Sequence, residues 1–535
     1  MNTIQNPILR GFNPDPSIIR VGADYYIATS TFEWFPGVQI HHSKDLKNWK
    51  VIAQPLHRIS QLDMKGNPDS CGIWAPCLSY DKGVFYLVYS NVKSFDGVWK
   101  DTPNYLVTTE DITGEWSDPI YLSSRGFDGS MFHDSDGKKY FLNMLVDHRQ
   151  HKFFGGIELQ EYDPVQKQLV GEAHYIHPGS SLGCTEGPHL FKKDGYYYLI
   201  LAEGGTEYGH TVSIARSMSL FGPYELHPDT SIVTCRENKK HALQKAGHGD
   251  FVQTIDGKWY VVFLVGRPLS EQGRCILGRE TAIEEIAWKS DGWPYLKNGS
   301  QLPRLEVPGP DVEEYRFEKS PIRDNFDSEE LRIDFQSLRI PKDESWVSLC
   351  ERKGFLRLKG KESLTSTHTQ VLVARRVQHF QIEASTSLEF NPKTILEMAG
   401  LVFYYNTGHY HYLHVTSNYE GTKKILKIIS SDHFEMIEQE QEIDITDQKS
   451  IVLKGVLDYD QLQFYYSLDQ EANFSPIGAV LDASILSDDY VREGDERYRP
   501  AFTGMFVGMC CQDLAYNRKH ADFDWFEYKE INKNK

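Results

Sequence analysis

One figure, written five times over the first half of the chain, limits its fold more than any other feature. A glycine-containing turn lies between two apolar runs, and a tyrosine follows the turn glycine by three residues. The pairs are Gly22/Tyr25, Gly83/Tyr86, Gly137/Tyr140, Gly195/Tyr198 and Gly257/Tyr260. A glycine turn between alternating apolar segments is hairpin punctuation. The gaps between successive tyrosines are 61, 54, 58 and 62 residues, which is a repeat. A second piece recurs between the hairpins. Ser43-Lys44-Asp45-Leu46-Lys47-Asn48-Trp49 is matched by Thr109-Glu110-Asp111-Ile112-Thr113-Gly114-Glu115-Trp116 and, more weakly, by Ser217-Met218-Ser219-Leu220-Phe221-Gly222-Pro223-Tyr224. Each unit therefore offers about four short strands, and radial closure of five such units gives a five-bladed β-propeller.

In a propeller the first strand of each blade runs along the central channel, so equivalent positions at its start converge. Twelve residues before the last four marker tyrosines stand Trp74, Asp128, Glu186 and His248; in the shorter first repeat, Asp15 stands ten before Tyr25. These five side chains are expected to ring one pocket. A single acid beside a turn is usually a cap or a solvated turn residue. Acids at matching register in three of five repeats are harder to explain that way. Pro14 and Pro16 fix the backbone around Asp15 and remove competing donors. Phe32, Trp34 and Phe35 either line a sugar-sized pocket or fill the core between blades, the commoner fate of a sheet aromatic.

After about residue 305 the texture changes. Leu302-Pro303-Arg304-Leu305-Glu306-Val307-Pro308-Gly309-Pro310 is proline-rich and aperiodic, a connection between domains. Beyond it, Phe355–Lys359, Gln370–Arg375, Phe380–Phe390, Leu401–Tyr405, Tyr410–Val415, Leu462–Leu468 and Phe502–Met509 alternate with period two. They predict a β-sandwich, with Asp324 and Asp524 marking candidate terminal strands. The expectation is an all-β chain: a propeller over 1–305, then a sandwich over 322–535. The 30 Tyr, 28 Phe and 10 Trp suit large sheet cores.

The net charge of −18 and the lack of a basic patch argue against nucleic acid or an anionic membrane surface as partner. No run reaches the length of a membrane span. The first residues lack the apolar core of a signal peptide, and eight cysteines without regular spacing form neither a disulfide framework nor a zinc pattern. Free thiols in the cytoplasm are the simplest expectation.

Three carboxylates around an aromatic-lined channel suit glycoside hydrolysis. One protonates the leaving oxygen, one activates water or attacks the anomeric carbon, and a third charge keeps the acid protonated near neutral pH. Glu186, with the longer arm, suits the acid. Asp15, rigidly held, suits the base, and Asp128 the modulator. Residues on separate blades favour the wide carboxylate separation of an inverting enzyme. His248 suits either a packed structural role or the holding of a water or ion. A calcium ion there would need mostly water ligands, and no other metal site is expected.

Asn13-Pro14-Asp15-Pro16-Ser17, Gly72-Ile73-Trp74-Ala75-Pro76, Asp128 before the Asp136-Gly137-Lys138 turn and Thr185-Glu186-Gly187-Pro188-His189 together resemble glycoside hydrolase family 43. The layout resembles its two-domain β-xylosidases, whose second domain is a concanavalin-like sandwich contributing to the pocket. The resemblance implies an inverting exo-enzyme that releases xylose from the non-reducing end of β-1,4-xylo-oligosaccharides (a xylan 1,4-β-xylosidase) and requires no cofactor. It also implies Asp15 as base, Asp128 as modulator and Glu186 as acid. Phe32, Trp74, Thr206, His248 and Arg279 fall at sugar-contacting positions, and Phe506 matches a sandwich phenylalanine that reaches over the pocket. Many members carry Ile-Asp-Pro-Ser around the modulator, where this chain has Phe127-Asp128-Gly129-Ser130. The competing readings are an α-L-arabinofuranosidase, alone or as a second activity, and a non-catalytic sugar-binding propeller. A homo-oligomer, dimer or tetramer, is compatible with the resemblance.

Overall fold

Five four-stranded antiparallel sheets account for the repeats. Blade one holds Ser17–Val21, Asp24–Thr29, Gln39–Ser43 and Lys50–Ala53. Blade two holds Gly72–Asp81, Val84–Val92, Asn104–Thr109 and Ile120–Ser123. Blade three holds Gly126–His133, Lys139–Val146, Phe154–Asp163 and Gln168–His177. Blade four holds Glu186–Lys193, Tyr196–Glu203, Thr211–Ser217 and Glu225–Thr234. Blade five holds Gln244–Gln253, Trp259–Gly266, Arg279–Trp288 and Pro294–Leu296. The computed structural model describes residues 3–149, 153–493 and 500–531. It divides into two compact units, one of Met1–Gly273 with Arg279–Phe317 and one of Arg274–Gly278 with Glu318–Lys535.

The hairpins lie where the glycine turns predict, and the second recurring piece is the turn from third to fourth strand. There Asp45 Oδ1 accepts from the Lys47 and Asn48 N–H groups at 2.9 and 2.8 Å, and Asp111 Oδ1 from the Thr113 N–H at 2.9 Å, the Asx geometry of a tight turn. Apolar cores form between blades. Ala28 and Ile40 of the first blade meet Leu78 and Leu87 of the second, and Ile18 and Ile27 meet Val252 and Val262 of the fifth. The ring is tied by the chain's start: Ile4 opposes Val307. The Asn6 amide then imitates a strand, donating to Ile283 O and Arg304 O and accepting from Ile283 N.

Four of the five inner strands, those of blades two to five, break their register at the same place. Three residues from Trp74 to Cys77 oppose the two-residue step from Ser90 to Val88, and the same break lies between Phe127 and Ser130 and between Glu186 and His189. In blade five it lies between Gly247 and Gly249. These are β-bulges, which bend a strand and re-aim its side chains. Asp15, Ala75, Asp128, Gly187 and His248 all have positive φ, from 31° to 57°, and the equivalent position of each blade is therefore this bend. The count of twelve is corrected by one residue in two blades. Trp74 and Glu186 precede the bend, because the hairpins of blades two and four turn in two residues (Lys82-Gly83, Asp194-Gly195). Those of blades three and five use three (Ser135-Asp136-Gly137, Ile255-Asp256-Gly257).

The second unit is built on an eight-stranded and a seven-stranded sheet. Its terminal strands do pair, through Arg323 with Glu527 and Asp324 with Phe526 rather than with Asp524. Lys424–Asp432, Ile451–Asp458 and Ser475–Asp482 are further strands that the alternation did not single out. Among the described residues, no helix is long and apolar enough to cross a membrane.

Candidate active site

Asp15 is buried, and both carboxylate oxygens are engaged. Ser30 Oγ donates to Oδ2 at 2.6 Å and Arg279 Nη1 to Oδ1 at 3.1 Å. The same Arg279 nitrogen donates to Thr206 Oγ1 at 2.9 Å, and His248 Nδ1 lies 3.9 Å from Asp15 Oδ1. Burial works to raise the Asp15 pKa, but the Arg279 guanidinium, with His248 and the Ser30 hydroxyl, outweighs it and holds the group below its usual range. Asp15 is thus a carboxylate kept ionised.

The other two acids are driven the opposite way. Burial, with the Asp15 charge added, pushes Asp128 up to about 8. Glu186, partly exposed, is raised well above its ordinary value by desolvation and then by the charges of Asp128 and Asp15. Like-charged carboxylates cannot all ionise in one small volume, and the proton therefore resides on the pair without a guanidinium partner. Asp128 Oδ2 accepts from the Gly187 N–H at 3.1 Å, which ties blade three to the residue after Glu186. Gly187 has no room for more: a Cβ there would meet the His248 ring at 2.9 Å. Gly129, where the family pattern often has proline, is equally constrained, since a Cβ would meet Phe141 at 2.7 Å and Val88 at 2.9 Å.

An aromatic wall continues from these groups. Phe32 and Trp74 are nearly fully buried, with ring centroids 6.0 Å apart, and the Arg279 guanidinium lies 5.4 Å from the Phe32 ring. Phe12 extends the wall at one end. Phe95 and Phe127 pack against Trp74 with centroids 4.7 and 5.2 Å away. The Trp74 indole donates to Ser70 O at 2.9 Å, which fixes the ring plane. Asp15, Phe32, Trp74, Asp128, Glu186, Thr206, His248 and Arg279 all lie in the first unit. Phe506 lies in the second, fully buried on the strand Phe506–Asp513 with the Arg376 guanidinium 5.3 Å from its ring.

Sequence reasoning missed the supporting set. Ser30 bridges two blades, donating to Asp15 and accepting from the Ala75 N–H at 2.8 Å. His189 lies with Nδ1 3.7 Å from Asp250 Oδ2 and 3.9 Å from Cys77 Sγ. Burial opposes its charge, but Asp250 and Cys77 raise its pKa to about 9. His248 is the reverse, held to about 4 mainly by burial. His189 and Asp250 do share a register, since each lies two residues past the bend of its blade, in the resumed strand ladder.

The model for "Glycosyl hydrolases family 43" matches residues 4–294, and that for "Beta xylosidase C-terminal Concanavalin A-like domain" matches 323–529. A "Beta-xylosidase" of Bacillus subtilis is 49% identical over 98% of this chain and 99% of its own. The crystal structure of a xylan beta-1,4-xylosidase from Bacillus halodurans superposes with a TM-score of 0.96 at 52% identity, covering 98% of this chain and 100% of that one. A "Non-reducing end alpha-L-arabinofuranosidase" of Bacteroides ovatus is 34% identical over 98% of this chain and 95% of its own.

Proposed function

This chain belongs to glycosyl hydrolases family 43, and from that premise we propose that it is an inverting, exo-acting β-xylosidase. It removes xylose from the non-reducing end of β-1,4-xylo-oligosaccharides. The observation that carries the reading is the opposed tuning of the carboxylates, with Asp15 held ionised by Arg279 while Glu186 and Asp128 are pushed upward. A base and an acid coexisting at one pH is what hydrolysis by inversion needs.

Asp15 takes a proton from the attacking water as its oxygen closes on the anomeric carbon. Glu186 gives its proton to the glycosidic oxygen as that bond breaks. Asp128, anchored on the Gly187 N–H, keeps Glu186 protonated and shares its proton demand. Phe32 and Trp74 offer apolar ring faces to the sugar, and Thr206, Arg279 and His248 offer polar groups to its hydroxyls. Asp15, the carboxylate next to His248, is already held by Ser30 and by the Arg279 cation. These residues do not fit a calcium ion, and no step is assigned to one.

The test is a pair of initial rates, on 4-nitrophenyl β-D-xylopyranoside and 4-nitrophenyl α-L-arabinofuranoside, with NMR detection of the first anomer released from xylobiose. The expected result is a dominant xyloside rate and α-xylose first. A dominant arabinofuranoside rate would transfer the substrate to the class named for the Bacteroides relative. β-Xylose first would overturn inversion.

A further inference from the structure

Far in sequence from the acids, the sandwich carries a group of side chains arranged as a metal requires. Ligand atoms of His409, Asp432 and His433 all lie within 4.8 Å of one another. His409 begins the strand His409–Ser417 and Asp432 ends its neighbour Lys424–Asp432. Tyr410 opposes Ser431 in that ladder, so the pairing itself brings His409 beside Asp432.

The hairpin then reverses through His433-Phe434, between Asp432 and its partner Glu435. Both turn residues have positive φ, 48° and 68°. A two-residue turn of this kind favours Asn and Gly, yet this chain places an imidazole at its first position. The surrounding hydrogen bonds have the form of a ligand-orienting shell. Asn406 Oδ1 faces His409 Nδ1 at 2.9 Å, which sets Nε2 as the lone-pair nitrogen; that atom accepts a hydrogen bond from the His433 N–H at 3.3 Å. Tyr490, on the short helix Asp488–Val491, donates to Asp432 Oδ2 at 2.9 Å. Oδ1 is left toward His433 Nδ1 at 2.7 Å. Asp432 and His433 already face each other as an ion pair, and the Asn406 contact turns His409 Nε2 to the same point; on binding a metal its lone pair would pass from the His433 N–H to the ion.

We propose that His409, Asp432 and His433 form a binding site for a borderline divalent cation of the zinc class. Two imidazoles and one carboxylate are a zinc-type donor set, with water completing the tetrahedron. One carboxylate gives the site a single negative charge, too little oxygen for calcium or magnesium. Zinc there clamps the hairpin Lys424–Glu438 to the strand His409–Ser417 and, through Tyr490, to the short helix.

The test uses tag-free full-length protein, stripped with EDTA and desalted, titrated with ZnCl2 by calorimetry and by thermal melting. CaCl2 is the control. The expected result is about one zinc per chain and a higher melting temperature with zinc, and no response to calcium. His433→Gly removes a ligand while giving the strained turn position the residue it favours. That variant is expected to melt no lower than wild type without metal, to bind zinc more weakly by more than the roughly 10- to 100-fold that loss of a ligand's orienting partner costs and to lose the zinc-induced shift. Asp432→Asn should lose it too. Absence of zinc binding by the wild type, or an undiminished response in both variants, would overturn the proposal.

Discussion

At the scale of single residues, chemistry here is a matter of which carboxylate has a cation beside it. Asp15 has Arg279 at 3.1 Å; Glu186 and Asp128 have each other. In the proposed mechanism activity requires Asp15 ionised, so it is present above the Asp15 pKa and lost as pH falls through it. It also requires Glu186 protonated, so it is lost as pH rises through the raised value of the acid pair, which titrates as a unit. Arg279→Met removes the charge that depresses Asp15. The acidic limb of kcat/KM is expected to move up by about one to three pH units, with the alkaline limb still present. A pH profile of the variant checks this; an unmoved acidic limb would remove Arg279 from its role.

At the scale of elements, one backbone device makes a site of five blade starts: a left-handed bend, set in a bulge in blades two to five. It puts Asp15, Asp128 and His248 in the left-handed bend itself, and Gly187 in the bend after Glu186. Gly187→Ala brings a Cβ to 2.9 Å from the His248 ring at φ +57°, displacing the N–H that Asp128 grips. We expect a drop of about 10²-fold in kcat with the fold retained by circular dichroism; unchanged turnover would contradict the coupling. The bulge also marks where reading the sequence stopped. The repeat was legible because turn glycines and marker tyrosines are local signals. The shared pocket was legible because propeller geometry converges blade starts. The register of Trp74 and Glu186 was not, because a third turn residue in Ser135-Asp136-Gly137 shifts any count made from the glycine. Ser30 was missed because its contacts cross from blade to blade and leave no trace in spacing; His189 and Asp250 share a register two residues past the bend, but that register is readable only once the bend itself is placed. In the sandwich, Lys424–Asp432 and Ser475–Asp482 escaped because their buried positions do not alternate cleanly.

At the scale of the whole molecule, the propeller is a ring whose cores lie between blades, and it is as stable as its closure. Thr3–Gln5 pairs with Glu306–Pro308, and Ile4 is fully buried among Tyr25, Val252, Tyr260 and Val307. Ile4→Ala should therefore cost about 2–5 kcal/mol, read as a lower urea midpoint for the propeller transition, while activity per folded molecule is kept. An exposed N-terminal strand would show no such cost.

The central claim is that Glu186 supplies the proton to the departing oxygen. It is tested by comparing wild type with Glu186→Gln on two substrates: xylobiose, whose leaving alcohol needs a proton, and 2,4-dinitrophenyl β-D-xylopyranoside, whose leaving phenolate does not. The account predicts a loss of about 10²- to 10⁴-fold in kcat on xylobiose and a far smaller loss on the dinitrophenyl xyloside. Equal losses on both substrates, or none on xylobiose, would contradict it.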